Sequence, residues 1–443
     1  MATQTAPELQ LGRVVVLGAN GAMGAGSAAL FAANGCTVTI AGREAGKLDT
    51  ALLAIQNIAR GTRVTTGMEV ATYDELETAL AGADLIFECL AEDMALKRAF
   101  LERIDAVRPQ HAIVATVSSG LSIRALAEGR SAGFRSHFAG IHLYNPPHMM
   151  TGVEVIPHPE MPAALREALG ATLAERFGRS VVFCADTPAF AGNRIGFKLL
   201  NEVATLALEH GVPLMDTLIG PYTGRAMAPL ATIDLVGWDV HKAIVDNVAA
   251  NVQDEAGNAF ALPRYMDALI ARGHLGDKTP DTGGFYRRVS NGNGKPAKEA
   301  LDPKTASYAR FEAPQIPFTQ EVAELHRRGR YADGMRRFMA AEGPEAKLAR
   351  RVILGYVSYA LNRVGPGEVV ASYQDVDRIM ATGFNWAPPS AIVDLIGLDR
   401  TIAALEQYQL AVPEVLRAAQ RGELPTPLFR QPHLSAGRYF GGQ

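Results

Sequence analysis

Arg13-Val14-Val15-Val16-Leu17-Gly18-Ala19-Asn20-Gly21-Ala22-Met23-Gly24-Ala25-Gly26 is the stretch that decides the fold. Arg13–Leu17 is a short apolar run of the kind that forms a buried strand, and Gly18, Gly21 and Gly24 follow it at intervals of three. Small residues over 27–34 then suit a helix that packs close to that strand, and after Gly35 a second apolar run, 37–41, reads as another strand. Strand, glycine turn, helix, strand is the opening unit of a Rossmann-type, doubly wound parallel sheet. Further apolar runs at 84–88, 112–116 and 138–143, separated by helical patterns such as 95–107, continue a parallel sheet to about residue 185.

A strand that feeds a glycine turn into a helix exposes backbone N–H groups at the positive end of the helix dipole, a ready seat for a pyrophosphate. Gly18 allows the tight turn, Gly21 lets a phosphate approach the backbone, and Gly24 lets helix and strand pack closely. A plain tight turn would need fewer glycines, so a nicotinamide dinucleotide is the expected ligand. The second strand ends in Gly42-Arg43-Glu44. Arg43 suits the 2′-phosphate of NADP, whereas Glu44 can reach the ribose hydroxyls of NAD, and both cofactors stay open on these residues.

Composition narrows the function class. The 443 residues are 48% hydrophobic and 20% charged, enough to bury several cores. With 43 Lys plus Arg against 46 Asp plus Glu, the net charge is −3, so no basic field favours nucleic acid. Cys36, Cys89 and Cys184 stand apart with no metal-ligand spacing, which fits a reducing cytoplasm and no metal. Residues 1–10 are polar, and no apolar run reaches the ~18 residues of a membrane helix, so a cytoplasmic chain without a membrane partner is expected.

Beyond Asp186 the pattern turns helical, with apolar residues at helical spacing over 190–208 and 239–252. Pro229-Leu-Ala-Thr-Ile-Asp234-Leu-Val-Gly237-Trp-Asp239 recurs 160 residues later as Pro389-Ser-Ala-Ile-Val-Asp394-Leu-Ile-Gly397-Leu-Asp399, so two copies of one all-α unit are expected. The expected division is 1–187 for the dinucleotide-binding domain, 188–300 for the first helical domain, 301–340 for a loop-rich connection, and 341–443 for a degenerate second copy.

Five further motifs occur in order: Ile86-Phe-Glu-Cys-Leu-Ala-Glu92-Asp-Met-Ala-Leu-Lys97, Ser118-Ser119-Gly-Leu-Ser-Ile, Gly140-Ile-His142-Leu-Tyr-Asn145-Pro146, Val153-Glu154-Val, and Asp186-Thr-Pro-Ala-Phe-Ala-Gly-Asn193-Arg194. Together they resemble the L-3-hydroxyacyl-CoA dehydrogenase family over residues 13–245, and the repeated helical unit is similar to the dehydrogenase half of multifunctional β-oxidation subunits. The resemblance implies a stand-alone enzyme that interconverts (S)-3-hydroxyacyl-CoA and 3-ketoacyl-CoA by hydride transfer with NAD(P). His142 matches the catalytic base, and Glu154, twelve residues on, the carboxylate that orients it. An imidazole with a pKa near working pH suits removal of an alcohol proton as hydride leaves. Ser119 and Asn193 match groups that hydrogen-bond the reacting oxygen; Asn193 is also compatible with a helix N-cap. Glu92 and Lys97 match residues lining the nicotinamide and its ribose, and Asn145 one that supports the turn at the active site. Arg350 stands where the second copy would carry a counterpart of Asn193, so that copy has a structural role. It replaces the subunit contact of shorter dimeric relatives, and both a monomer and a homodimer remain compatible with it.

The chain departs from the family pattern at Val117 and Gly120, at Gly42 in place of an aspartate, and at Ala189 in place of a glycine. These changes bear on cofactor choice more than on reaction type. Two rival functions share these residues: oxidation of a hydroxy acid without CoA, and a catalytically silent nucleotide-binding structural protein.

Overall fold

The computed structural model describes residues 9–60, 62–290, 296–431 and 433–440. The chain divides into two compact units, Met1–Phe190 and Ala191–Gln443. In the first, eight strands form one sheet: β1 (Arg13–Leu17), β2 (Thr37–Gly42), β3 (Glu69–Thr72), β4 (Leu85–Glu88), β5 (Ile113–Thr116), β6 (Phe138–Leu143), β7 (Gly152–Pro157) and β8 (Ser180–Phe183). Their order across the sheet is β3-β2-β1-β4-β5-β6-β7-β8, which reverses direction between β1 and β4. That reversal opens a crevice at the carboxyl ends of the strands, where ligands of such sheets bind. Every residue of β4, β5 and β6 is buried, as expected for strands covered on both faces.

One expectation fails. The sheet does not stay parallel to residue 185, because β6 and β7 pair antiparallel. Only residues 144–151 join them, too few for a parallel crossover, which needs about a dozen or more. The consequence is chemical: the antiparallel register sets His142 directly opposite Glu154.

In the second unit the repeat appears as two helix pairs, Pro229–Val236 with Trp238–Asn251 and Pro389–Ile396 with Leu398–Gln407. Each pair turns on a glycine with positive φ, Gly237 at 98° and Gly397 at 101°, a region that favours glycine. The repeated aspartates do the same job. Asp234 accepts from the backbone N–H groups of Phe285 and Tyr286, both at 2.8 Å, and Asp394 from those of Leu428 and Phe429 at 3.0 and 2.8 Å. Asp254 also pairs with Arg194 at 2.8 Å and with Arg363 at 3.1 Å, tying the first copy to the helix Pro344–Leu361 and its end.

The stretch 301–340 is not a loop-rich connection. It holds the end of β10 (Pro296–Asp302), β11 (Ser307–Arg310) and the helices Pro317–Arg327 and Tyr331–Ala340. With β9 (Tyr286–Ser290), β10 and β11 make a three-stranded antiparallel sheet. Pro317 at the first helical position and buried Phe318 and Val322 explain the first helix, whose apolar positions are few but fall on one face. Among the described residues no helix is long and apolar enough to cross a membrane.

Candidate active site

The glycine turn is built as its spacing requires. Gly18 has φ 75°, and a Cβ there would lie 2.4 Å from the carbonyl oxygen of Cys89, so the backbone just past β4 leaves no room for a side chain. A Cβ on Gly24 would meet the carbonyl oxygen of Gly18 at 2.4 Å, which brings the helix Ala22–Ala33 down onto the turn. Gly21 differs. Its Cβ would meet only ordinary contact at 3.5 Å, and it caps the helix without any side-chain hydrogen bond. The protein itself therefore does not demand glycine there, whereas a phosphate seated on the free N–H groups of the first turn would. These residues fit a dinucleotide. Gly21 and Asn145 also line one cavity of about 600 Å³, together with Asn20, Lys47, Asn57 and His148.

Arg43 is exposed just past β2. Glu44 beside it bonds Lys47 at 2.7 Å, which holds its carboxyl below the usual carboxylate range. A Cβ on Gly42 would lie 2.7 Å from the terminal Cδ2 of Leu48, so a side chain at that position needs the flexible end of that leucine to shift.

Glu92 and Lys97 occupy different environments. One oxygen of Glu92, Oε1, accepts from the Ser118 hydroxyl at 2.6 Å and from the backbone N–H groups of Ser119 and Gly120 at 2.9 and 3.1 Å. Glu92 thus fixes the backbone from which the half-buried Ser119 projects. Lys97 is wholly buried, and its ammonium bonds both oxygens of Glu88 at 2.8 and 3.0 Å and the carbonyl of Leu90 at 3.2 Å, with Glu92 3.6 Å away. Thr116 donates to the same Glu88 at 2.6 Å. Lys97 is a strut from the helix Met94–Val107 to β4 and the turn beyond it.

The dyad lies two strands further along. His142 Nδ1 is 2.7 Å from Glu154 Oε2, with side chains 4% and 0% exposed, so water does not screen the pair. A carboxylate only accepts, so Nδ1 carries the proton and the Nε2 lone pair is the basic face. Sequence reading missed three contributors. The Tyr144 hydroxyl donates to Glu154 Oε2 at 2.7 Å, and the Cys184 thiol to Oε1 at 3.5 Å. Tyr144 lies two residues past His142, and an extended chain puts both on one face, a period-of-two signal that could have found it. Burial and the Glu154 charge hold the Tyr144 phenol well above its ordinary pKa. The third is Asp186, which accepts from Ser122 Oγ at 2.8 Å and from the N–H groups of Ile123 and Arg124 at 3.0 and 2.9 Å, tying its strap to the segment after Ser119. That strap turns sharply: Ala189 and Phe190 have φ of 61° and 52°, and Phe190 packs on the His142 ring at 5.8 Å. A left-handed Ala costs about 1–2 kcal/mol, which explains why glycine would suit position 189 better.

Asn193 belongs to the helical unit, in the first turn of the helix Gly192–His210, and is buried. Ala191, not Asn193, occupies the cap position. Arg350 bonds Tyr408 at 3.0 Å in the second copy and the Phe338 carbonyl at 3.1 Å in the helix Tyr331–Ala340. Among the described residues no cluster of His, Cys, Asp and Glu is placed to hold a metal ion.

Residues 13–187 match the model of the 3-hydroxyacyl-CoA dehydrogenase NAD binding domain, and residues 190–288 that of the same enzyme's C-terminal domain. A probable 3-hydroxyacyl-CoA dehydrogenase of Bacillus subtilis (strain 168) is 29% identical over 338 residues, 75% of this chain but only 41% of that protein's length. The mitochondrial hydroxyacyl-coenzyme A dehydrogenase of Rattus norvegicus is 30% identical over 292 residues, 62% of this chain and 90% of that protein. Among solved structures, 3-hydroxybutyryl-CoA dehydrogenase from Escherichia coli K12 shares the fold with a TM-score of 0.67 at 23% identity, covering 94% of this chain and 99% of that one. A glycine turn shaped for a dinucleotide, a buried histidine–carboxylate pair and both halves of the family pattern coincide in one polypeptide, and the chain belongs to the 3-hydroxyacyl-CoA dehydrogenase family.

Proposed function

We propose that this protein is an NAD-dependent dehydrogenase that interconverts (S)-3-hydroxyacyl-CoA and 3-ketoacyl-CoA. The observation that carries the reading is the dyad: His142 Nδ1 held 2.7 Å from a wholly buried Glu154, near the carboxyl end of β6. In oxidation, Nε2 of His142 takes the hydroxyl proton and Glu154 stabilises the imidazolium that results. In reduction the same imidazolium returns the proton to the ketone oxygen. NAD, when bound, supplies the acceptor for the hydride that leaves the hydroxyl-bearing carbon. Gly18, Gly21 and Gly24 would hold its pyrophosphate, with Arg43 and Asn145 as further contacts. Ser119, on a backbone anchored by Glu92, is assigned to donate to the reacting oxygen, and Asn193 of the helical unit is a further donor to substrate. Cys36, Cys89 and Cys184 are thiols rather than disulfides, which supports a reducing cytoplasmic location.

The test is the rate of acetoacetyl-CoA reduction with NADH and with NADPH, in the wild type and in His142→Ala. Turnover with NADH, lowered about 10²–10⁴-fold in the variant, is the expected result. Near wild-type turnover in His142→Ala would remove the dyad from the mechanism. Absence of turnover in the wild type, with NADH bound, would remove the acyl-CoA substrate.

A further inference from the structure

The sequence pattern pairs one histidine with one carboxylate, but the folded site gives that carboxylate a second strong donor. Glu154 Oε2 lies 2.7 Å from His142 Nδ1 and 2.7 Å from the Tyr144 hydroxyl. The two rings also touch edge to face, with centroids 4.9 Å apart. All three groups are buried.

We propose that Tyr144 is a positioning residue for the dyad: its hydroxyl shares the carboxylate oxygen that holds His142, and so sets how strongly that imidazole keeps a proton. The inference rests on the dehydrogenase reading above only in taking His142 as the acid–base group. A donor on a carboxylate draws charge from it and weakens its attraction for a neighbouring imidazolium. Tyr144 therefore lowers the proton affinity of His142 relative to a bare His–Glu pair, which favours the neutral imidazole needed to start oxidation. The phenol can do this at any working pH, because burial beside Glu154 keeps it protonated. It also resists rotation of the carboxylate, since Oε1 is occupied by the Cys184 thiol while Oε2 serves both rings.

The titratable groups in contact with Tyr144 and Glu154 include His142 from β6 and Cys184 just past β8. Phe190 is the aromatic neighbour on the strap. Tyr144 is thus a strong neutral donor placed directly on the carboxylate oxygen that holds His142.

The experiment titrates His142 directly in the protein without ligand, by NMR of ¹³C-labelled histidine, with His142→Gln used to assign its signal. Three forms are compared: wild type, Tyr144→Phe, and protein with 2,3-difluorotyrosine at position 144, a stronger donor of nearly the same size. Removing the hydroxyl is expected to move the His142 titration up by about 0.5–1 pH unit, and the fluorinated ring to move it down. The acid limb of kcat/KM for oxidation of 3-hydroxybutyryl-CoA should move in the same two directions. No displacement with either ring, or displacements of one sign, would overturn the proposal. If Tyr144→Phe does not fold, the fluorinated protein alone decides, because a purely structural role predicts no downward shift. Opposed NMR displacements without any acyl-CoA turnover would leave the tuning intact and refute the dehydrogenase reading instead.

Discussion

Lys97→Met is the most informative single change outside the dyad. Lys97 and Glu88 are both 0% exposed and 2.8 Å apart, and Met removes the ammonium while nearly keeping the volume of its stem. Deleting one partner of a buried pair leaves the other charge without compensation, a loss of about 3–5 kcal/mol. Thr116 still bonds Glu88 at 2.6 Å, so the lower half of that range is expected. For a unit of about 190 residues, 1 kcal/mol is worth about 2–4 °C, which sets the fall in Tm near 6–16 °C. The assay can separate the two units. Both tryptophans, Trp238 and Trp386, lie in the helical unit, so calorimetry and far-UV circular dichroism follow the whole chain while tryptophan fluorescence follows that unit. Glu88→Gln combined with Lys97→Met should recover at least half of the loss, because the stranded charge is gone. A loss below about 1 kcal/mol with a tenfold or greater rise in KM for NADH would refute the strut and return Lys97 to the cofactor.

Other expectations follow from the same geometry. Glu154→Gln should lower kcat for acetoacetyl-CoA reduction by at least tenfold with little change in NADH affinity, since an amide cannot stabilise the imidazolium charge; unaltered kcat in steady-state assays would contradict the dyad. Gly18→Ala should be strongly destabilising, with its Cβ 2.4 Å from the Cys89 carbonyl, whereas Gly21→Ala should fold normally and lose NADH affinity by tenfold or more in a fluorescence titration. Equal stability losses in both glycine variants would argue against a phosphate seat at Gly21. Asp377 is buried, bonded to the Ser390 hydroxyl and backbone N–H, and burial raises its pKa from 3.8 to about 7. The native state therefore holds a proton that the unfolded state has lost between about pH 4 and 7, so this group's contribution is fully present below pH 4 and declines as pH rises. Its slope is at most about 1.4 kcal/mol per pH unit. Asp377→Asn should flatten the pH dependence of unfolding over that window, read by tryptophan fluorescence in urea, and an unchanged slope would exclude the group.

The glycine turn was legible because each glycine answers a local steric demand, and local demands leave a trace in spacing. His142 and Glu154 were legible through the motifs around them, but the reason they meet was not. Twelve residues of separation say nothing about pairing until β7 turns antiparallel to β6 and sets the two in register. The strands of 286–310 were hidden for a related reason, since short, exposed, antiparallel strands carry weak apolar periodicity.

The sequence by itself determined the doubly wound sheet, the dinucleotide turn and the duplicated helical unit. These are properties of local pattern, and chain order preserves local pattern. Tertiary structure alone decided that Lys97 is a buried strut, that Glu92 anchors the backbone at Ser119, and that Tyr144 and Cys184 converge on Glu154. Each of those depends on which side chains share a buried space, and burial is what turns an ordinary charge or hydroxyl into a committed partner. Exposed, Lys97 would be a solvated charge at a helix start; enclosed, it must answer Glu88.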